Sequence, residues 1–232
     1  MTAREPSPAT VRPPSTAAGP PEPARPDLIM VGGIPGAGKS TAIEAALRAD
    51  RGPVPVRALD SDQVRRRLAA RLGPRVAYRR YRPWVHTLHL LRVVGWILLG
   101  PELPGTRLVV HDPCTRPFRL RALGRLAESR GWRTRLVLVD VDRTDALAGQ
   151  RDRGRVVRPD SFARHWERWQ RLRSELTVPF APEPDWVEPW DAVALVHRDD
   201  AAATLTGLLG CPTGFPTTVR AAAVTEPLAL AS

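Results

Sequence analysis

Gly33-Ile34-Pro35-Gly36-Ala37-Gly38-Lys39-Ser40 follows the spacing G-x-x-x-x-G-K-[ST] without exception. Each residue type there has a chemical reason. Glycines let the backbone wrap an anion and aim successive N–H groups at its oxygens. A helix that begins at the lysine adds a partial positive charge at the same point. Lys39 would bridge the β- and γ-phosphates of a nucleoside triphosphate, and the Ser40 hydroxyl would ligate Mg²⁺. Gly33, Gly36, Ala37, Gly38, Lys39, Ser40 and Thr41 are therefore the expected phosphate-binding residues. The 35 basic residues are all arginine except Lys39, so something at that position demands a compact charge on a flexible stem. A glycine-rich turn that binds nothing would show no such preference.

The elements around this loop suit it. Leu28-Ile29-Met30-Val31 is an apolar run of the kind that makes a strand buried on both faces, and Ser40 to Arg48 reads as a helix. A strand is expected around Val54 to Leu59, then a helix from near Asp62 with Val64, Leu68 and Leu72 on one face. Residues 83–99 read as a mostly buried helix entered through Pro83. Further strands are expected at 107–112, 135–141 and 192–196, with helices at 118–130, 144–152, 160–176 and 201–209. Strands alternating with helices predict an α/β fold with a parallel sheet of about five strands. Residues 1–26 and 211–232 have no hydrophobic period and read as a Pro/Ala-rich tail and a loose tail around one domain at 27–210.

Composition excludes several classes. A chain of 232 residues with 43% hydrophobic content can bury one sizeable core. No apolar run approaches the ~20 residues of a membrane helix, and the first residues have no secretory h-region, so a cytoplasmic protein is expected. Cys114 and Cys211 lack the spacing of a disulfide framework or a zinc site. The net charge of +11 would suit an anionic partner. With 25 prolines and abundant alanine, however, arginine enrichment also follows from GC-rich codon usage, so basicity alone argues little for nucleic acid.

Three further segments extend the phosphate loop to a family. They are Leu59-Asp60-Ser61-Asp62-Gln63-Val64-Arg65, His111-Asp112 and Gln150-Arg151-Asp152-Arg153-Gly154-Arg155. Together with the loop they resemble the small P-loop kinases and AAA-type ATP-binding proteins that include the kinase domain of phage polynucleotide 5′-hydroxyl kinase. The resemblance covers about residues 28–198 and implies a P-loop NTPase fold, ATP with Mg²⁺, and an arginine-bearing lid. It makes Asp62 the general base on an acceptor hydroxyl and Arg65 the group that orients acceptor or phosphate. Asp60 is the rival base, and an N-capping role is the plainer reading of an aspartate there. The resemblance also places Asp112 toward Mg²⁺ or the acceptor, with Asp140 as competitor, and reads His111 as packing or support. Arg151 and Arg155 would close over the phosphates, with Gly154 as the bend.

The acceptor is less legible. Between Asp62 and Glu102 there is no acidic residue, while eight arginines lie from Arg65 to Arg82. Tyr78, Tyr81 and Trp84 among them would suit single-stranded nucleic acid, or the stretch is codon-biased surface beside ordinary core aromatics. A phosphorylated or otherwise anionic small molecule would also suit it. Trp166 and Trp169 read as the packing face of their helix, and the loop at His197 to Asp199 as a source of adenine contacts. The expected function is a kinase that uses ATP and Mg²⁺. Its alternatives are a polynucleotide or nucleoside 5′-hydroxyl kinase and a nucleotide-binding regulatory ATPase.

Overall fold

The computed structural model describes residues 25–52, 55–99, 106–152, 154, 157–178 and 182–210. An apolar run with no polar face has to be covered on both sides. The fold does this by setting β1 (Asp27–Gly32), buried along its whole length, at the centre of a five-stranded sheet. β2 (Val56–Asp60), β3 (Arg107–His111), β4 (Arg133–Asp140) and β5 (Ala192–His197) join it in the order β2-β3-β1-β4-β5. Every pairing is parallel, and Val31 stands opposite His111 in β3 and Val137 in β4.

Parallel strands need crossover helices, which here flank the sheet. They are α1 (Lys39–Ala49), α2 (Ser61–Leu72), α3 (Tyr78–Leu99), α4 (Pro117–Ser129), α5 (Arg143–Asp152), α6 (Pro159–Thr177) and α7 (Ala201–Gly210). α1 packs on α7, and α3 packs on α2 and α4. The main core runs from β1 through Trp132 and Trp169, and a smaller cluster of Val64, Tyr81 and Val85 joins α2 to α3. The chain leaves β1 toward β2 on one side and later crosses to β4 on the other. The carboxyl ends of β1, β3 and β4 therefore frame the crevice where ligands bind in such sheets.

Two expectations need correction. α3 begins at Tyr78 rather than at Pro83, which lies inside the helix and forfeits only the bond to the Arg79 carbonyl. Nor is α3 mostly buried. One stripe at i, i+4 spacing (Tyr81, Val85, His89, Val93, Ile97) meets the protein, while Trp84 is 64% and Leu91 60% exposed. α3 lies on the outside of the sheet, so only one face finds a neighbour. Leu72 is likewise exposed at the last turn of α2. The tail regions fall outside the described residues except Arg25 and Pro26, which bond to the carbonyl of Trp132 and the amide of Arg133. Among the described residues no helix is long and apolar enough to cross a membrane.

Candidate functional site

The loop after β1 takes its shape from backbone that only glycine adopts freely. Gly33, Gly36 and Gly38 have φ of 136°, 91° and 90°. Gly38 is the N-cap of α1 and offers no side chain to the helix start, which leaves the first amides of α1 for a ligand. Lys39 is only 6% exposed, and its Nζ donates to the carbonyls of Gly33 and Ile34, each at 2.8 Å. The lysine is thus held across the mouth of the loop. Ser40 follows in the first turn of α1, and Thr41 is exposed.

The loop is braced by α5. A Cβ on Gly36 would collide with the carbonyl of Ala146, and one on Gly149 would lie 2.7 Å from the Gly36 carbonyl. Gln150 Nε2 donates to Pro35 O at 3.2 Å, while its Oε1 accepts the Val157 amide at 2.9 Å. That side chain therefore links the loop to the segment beyond α5. Gly149→Val is expected to push α5 off the loop and weaken nucleotide binding about tenfold, the scale of an overpacked contact. Titration with a fluorescent ATP analogue checks this, and circular dichroism should show unchanged helix content.

Two cavities open on either side of the loop. One, of about 320 Å³, is lined by Gly36, Gly38, Thr41, Gly149, Asp152 and Arg198. Arg198 Nη2 donates to Gly36 O at 2.7 Å and to Asp145 O at 3.1 Å, so the loop after β5 does reach the phosphate loop. The other cavity, of about 580 Å³, has Pro35 and Asp112 in its wall together with Arg82, Arg116, Arg119 and Arg168. His165 of α6 also lines it. Burial first, then the charges of Arg168, Arg82, Lys39 and Arg116, push its imidazole down to about 4. Burial likewise lowers His86 and His89, so the imidazoles of His86, His89 and His165 in this wall are neutral at pH 7.

The strand-end carboxylates have separate partners. Asp60, not Asp62, caps α2: its Oδ1 accepts the Asp62 amide at 2.9 Å, and its Oδ2 lies 3.0 Å from His111 Nδ1. Burial would raise its carboxyl, but the hydrogen bond and charge of His111 and the hydrogen bond from the Asp62 amide hold it well below the ordinary value. A carboxyl lowered in the folded state stabilises the fold above its unfolded value near 3.9, and that contribution disappears as pH falls. Asp60→Ala should therefore lose about 1 kcal/mol of cap energy at pH 7. Its deficit against the parent should shrink below about pH 4, as read by urea unfolding at both pH values.

Asp62 sits in the first turn of α2, with Oδ1 2.6 Å from Arg65 Nε and Oδ2 3.8 Å from Arg66. Its neighbour Ser61 lines the larger cavity. Asp112 is 5% exposed, and its amide donates to Val31 O at 3.2 Å, which fixes it beside the end of β1. Oδ1 accepts the Cys114 amide at 2.9 Å and Oδ2 meets Arg119 at 2.8 Å. Asp140 is turned away to α6, bonding Arg173 Nε at 2.8 Å and Trp169 Nε1 at 3.2 Å. Trp169 is fully buried, as a packing residue should be.

Ser40 and Asp112 present oxygen donors, the type Mg²⁺ takes, and each carboxylate oxygen of Asp112 keeps further acceptor capacity. Among the described residues no three His, Cys, Asp or Glu form a metal cluster. An ion here would draw its remaining ligands from phosphates and water. Of the residues expected on a lid, Arg151 is exposed at the end of α5, and Gly154 has a φ of 60°. Arg155 lies outside the described residues. Sequence reasoning missed Arg116, Arg119, Arg164 and Arg168, and it named the loop of Arg198 without singling that residue out. They belong to no motif, and only the packing of α4 and α6 and the loop after β5 brings them to the phosphate loop.

A family model described as AAA domain matches residues 28–179. No curated protein matches the chain. Among solved structures, one from the PezAT chromosomal toxin–antitoxin system of Streptococcus pneumoniae aligns with 79% of this chain and 77% of its own. The identity is 16% and the TM-score 0.52, which shows a shared fold. The tunicamycin resistance protein of Deinococcus radiodurans aligns over 80% of this chain and 96% of its own, at 17% identity and a TM-score of 0.49. The family match spans more than half of the 232 residues and begins on the strand that feeds the phosphate loop. The chain belongs to the AAA domain family and is a nucleotide-binding P-loop protein of the kinase or ATPase type.

Proposed function

We propose that this protein is a cytoplasmic, ATP-dependent phosphotransferase that moves the γ-phosphoryl group to a hydroxyl of an acceptor. The observation that carries this reading is the second cavity. Gly36 of the phosphate loop opens on one cavity and its neighbour Pro35 on the other. A protein that only hydrolyses ATP needs room for water, not a further chamber of about 580 Å³ beside the loop.

In this reading the loop amides and Lys39 hold the triphosphate, with Lys39 exchanging the Gly33 and Ile34 carbonyls for phosphate oxygens. Mg²⁺, held through Ser40 with Asp112 behind it, would neutralise charge on the phosphates. Asp62 takes the proton of the acceptor hydroxyl as that oxygen bonds to the γ-phosphorus and the bond to the bridging oxygen of ADP breaks. Arg65, 2.6 Å away, would hold the Asp62 carboxylate in place and orient acceptor or phosphate, the pair standing beside Ser61 at the edge of the larger cavity rather than in its wall. Arg151, with Arg155, closes from the lid over the transferring group.

The test is incubation with Mg²⁺ and ATP labelled on the γ-phosphate, with pooled cell metabolites in one tube and 5′-hydroxyl oligonucleotides in another. Label on an acceptor in either tube supports the reading. Release of free phosphate with no labelled acceptor overturns it in favour of a nucleotide-binding switch.

A further inference from the structure

Resting on the phosphotransferase reading, we propose that the acceptor is a small molecule that already carries a phosphate group, gripped by Arg82, Arg116, Arg164 and Arg168 across the larger cavity. These four side chains come from three separate elements, α3, the start of α4, and α6, and converge on one space. Some arginines elsewhere pair with acids, Arg48 with Glu44, Arg121 with Asp185, and Arg125 with Glu128 and Glu188, and others, such as Arg67, Arg71 and Arg75, stand exposed to solvent rather than around a cavity. None of the four has an ion-pair partner among the described residues. Among the described residues, the one carboxylate in the wall, Asp112, is already taken by Arg119 at 2.8 Å.

Codon bias explains how many arginines a chain has. It does not explain why four unpaired ones face a common cavity. An uncharged acceptor would displace water from those guanidiniums and give nothing back, whereas a phosphate dianion accepts their forked N–H groups. The γ-phosphoryl group does not account for them all. It has Lys39 and the loop amides, and the cavity wall also includes His86 of α3 and Leu123 of α4. α4 also opens here with Arg116 at its N-cap and no side-chain cap, which adds to the positive field.

The geometry favours a metabolite over a polynucleotide. Of the eight arginines from Arg65 to Arg82, only Arg82 lines the cavity, and Tyr78, Tyr81 and Trp84 do not. Tyr81 is buried, with Tyr78 edge-on to it at 5.3 Å, so this pair is packed on itself rather than spread for stacking. A volume of about 580 Å³ suits a phosphorylated metabolite.

The test has a binding arm and a transfer arm. The full chain, saturated with Mg²⁺ and a non-hydrolysable ATP analogue, is titrated calorimetrically with inorganic pyrophosphate. One further equivalent should bind, at least tenfold more weakly in Arg116→Ala and in Arg168→Ala, and unchanged in the exposed control Arg121→Ala. In the second arm, label transfer to pooled small metabolites should vanish when the pool is treated beforehand with phosphatase, which is then removed. No further pyrophosphate binding, equal binding in all variants, transfer that survives phosphatase, or label only on an oligonucleotide would each overturn the inference. Arginine-dependent pyrophosphate binding without any transfer would support the anion site while removing the phosphotransferase reading. Transfer to an uncharged acceptor at the parent rate in Arg116→Ala would do the reverse.

Discussion

Replacing Lys39 by arginine is expected to abolish nucleotide binding as thoroughly as replacing it by alanine. The change keeps the charge and matches what this chain does everywhere else. The pocket is what forbids it. Lys39 is 6% exposed, and a single Nζ reaches two carbonyls of the loop, Gly33 and Ile34, at 2.8 Å each. An ammonium can rotate its three N–H groups from those carbonyls onto phosphate oxygens without moving the stem far. A planar guanidinium is wider, its donors point in a fixed fork, and it would have to enter a loop that α5 already touches through Gly149. A preorganised donor to a reacting phosphate is worth about 10² to 10³ in rate, so transfer should fall below detection in both variants. The fold should survive, because the two lost hydrogen bonds contribute only about 1 kcal/mol each. A fluorescent ATP analogue gives the binding and a thermal melt the stability. If Lys39→Arg binds nucleotide within tenfold of the parent, the lone lysine is an accident of drift and not a chemical requirement.

The lysine was legible for the same reason that most of the fold was. Local patterns carry the strands: Leu28 to Val31 is apolar without a break, and the sheet answers by burying it from both sides. The phosphate loop is a continuous segment, so residue types and spacing alone determine its geometry. Where the cation beside a strand end comes from another part of the chain, no such pattern exists. Arg116 and Arg168 lie on different helices and meet only because β3 pairs with β1 and α6 packs back on the same end of the sheet. In a chain whose 35 basic residues are nearly all arginine, neither stands out by type. α3 departs from its expected burial for a related reason. Its apolar content is high all round, and periodicity shows how much of a helix is apolar but not how many neighbours the fold will supply. In one dimension the eight-arginine stretch fits a groove and a codon-biased surface equally. Folded onto α2 and the start of α3, it lends a single residue to the cavity.

Asp62→Asn is expected to remove about 10² to 10⁴ of phosphoryl transfer while leaving ATP affinity within a few-fold of the parent. The substitution is nearly isosteric, and the backbone amide of residue 62 still caps onto Asp60 Oδ1 at 2.9 Å. It removes the acceptor for the hydroxyl proton and the charge opposite Arg65, 2.6 Å away. That pair is partly exposed on the first turn of a helix, so its loss should cost at most about 1 kcal/mol. A large fall in transfer then cannot be charged to unfolding, which urea denaturation would confirm. Asp112→Asn is the informative partner. Asp112 is buried and holds both Arg119 and the Cys114 amide, so an amide there leaves a half-buried guanidinium without its counter-charge and should lower stability as well as transfer. If only Asp62→Asn abolishes transfer at constant stability, the base stands at the start of α2. If Asp112→Asn alone does so with the fold intact, the cavity carboxylate is the base and Asp62 merely positions Arg65. If neither variant changes ATP turnover, no acceptor proton is being taken, and the phosphate loop belongs to a switch.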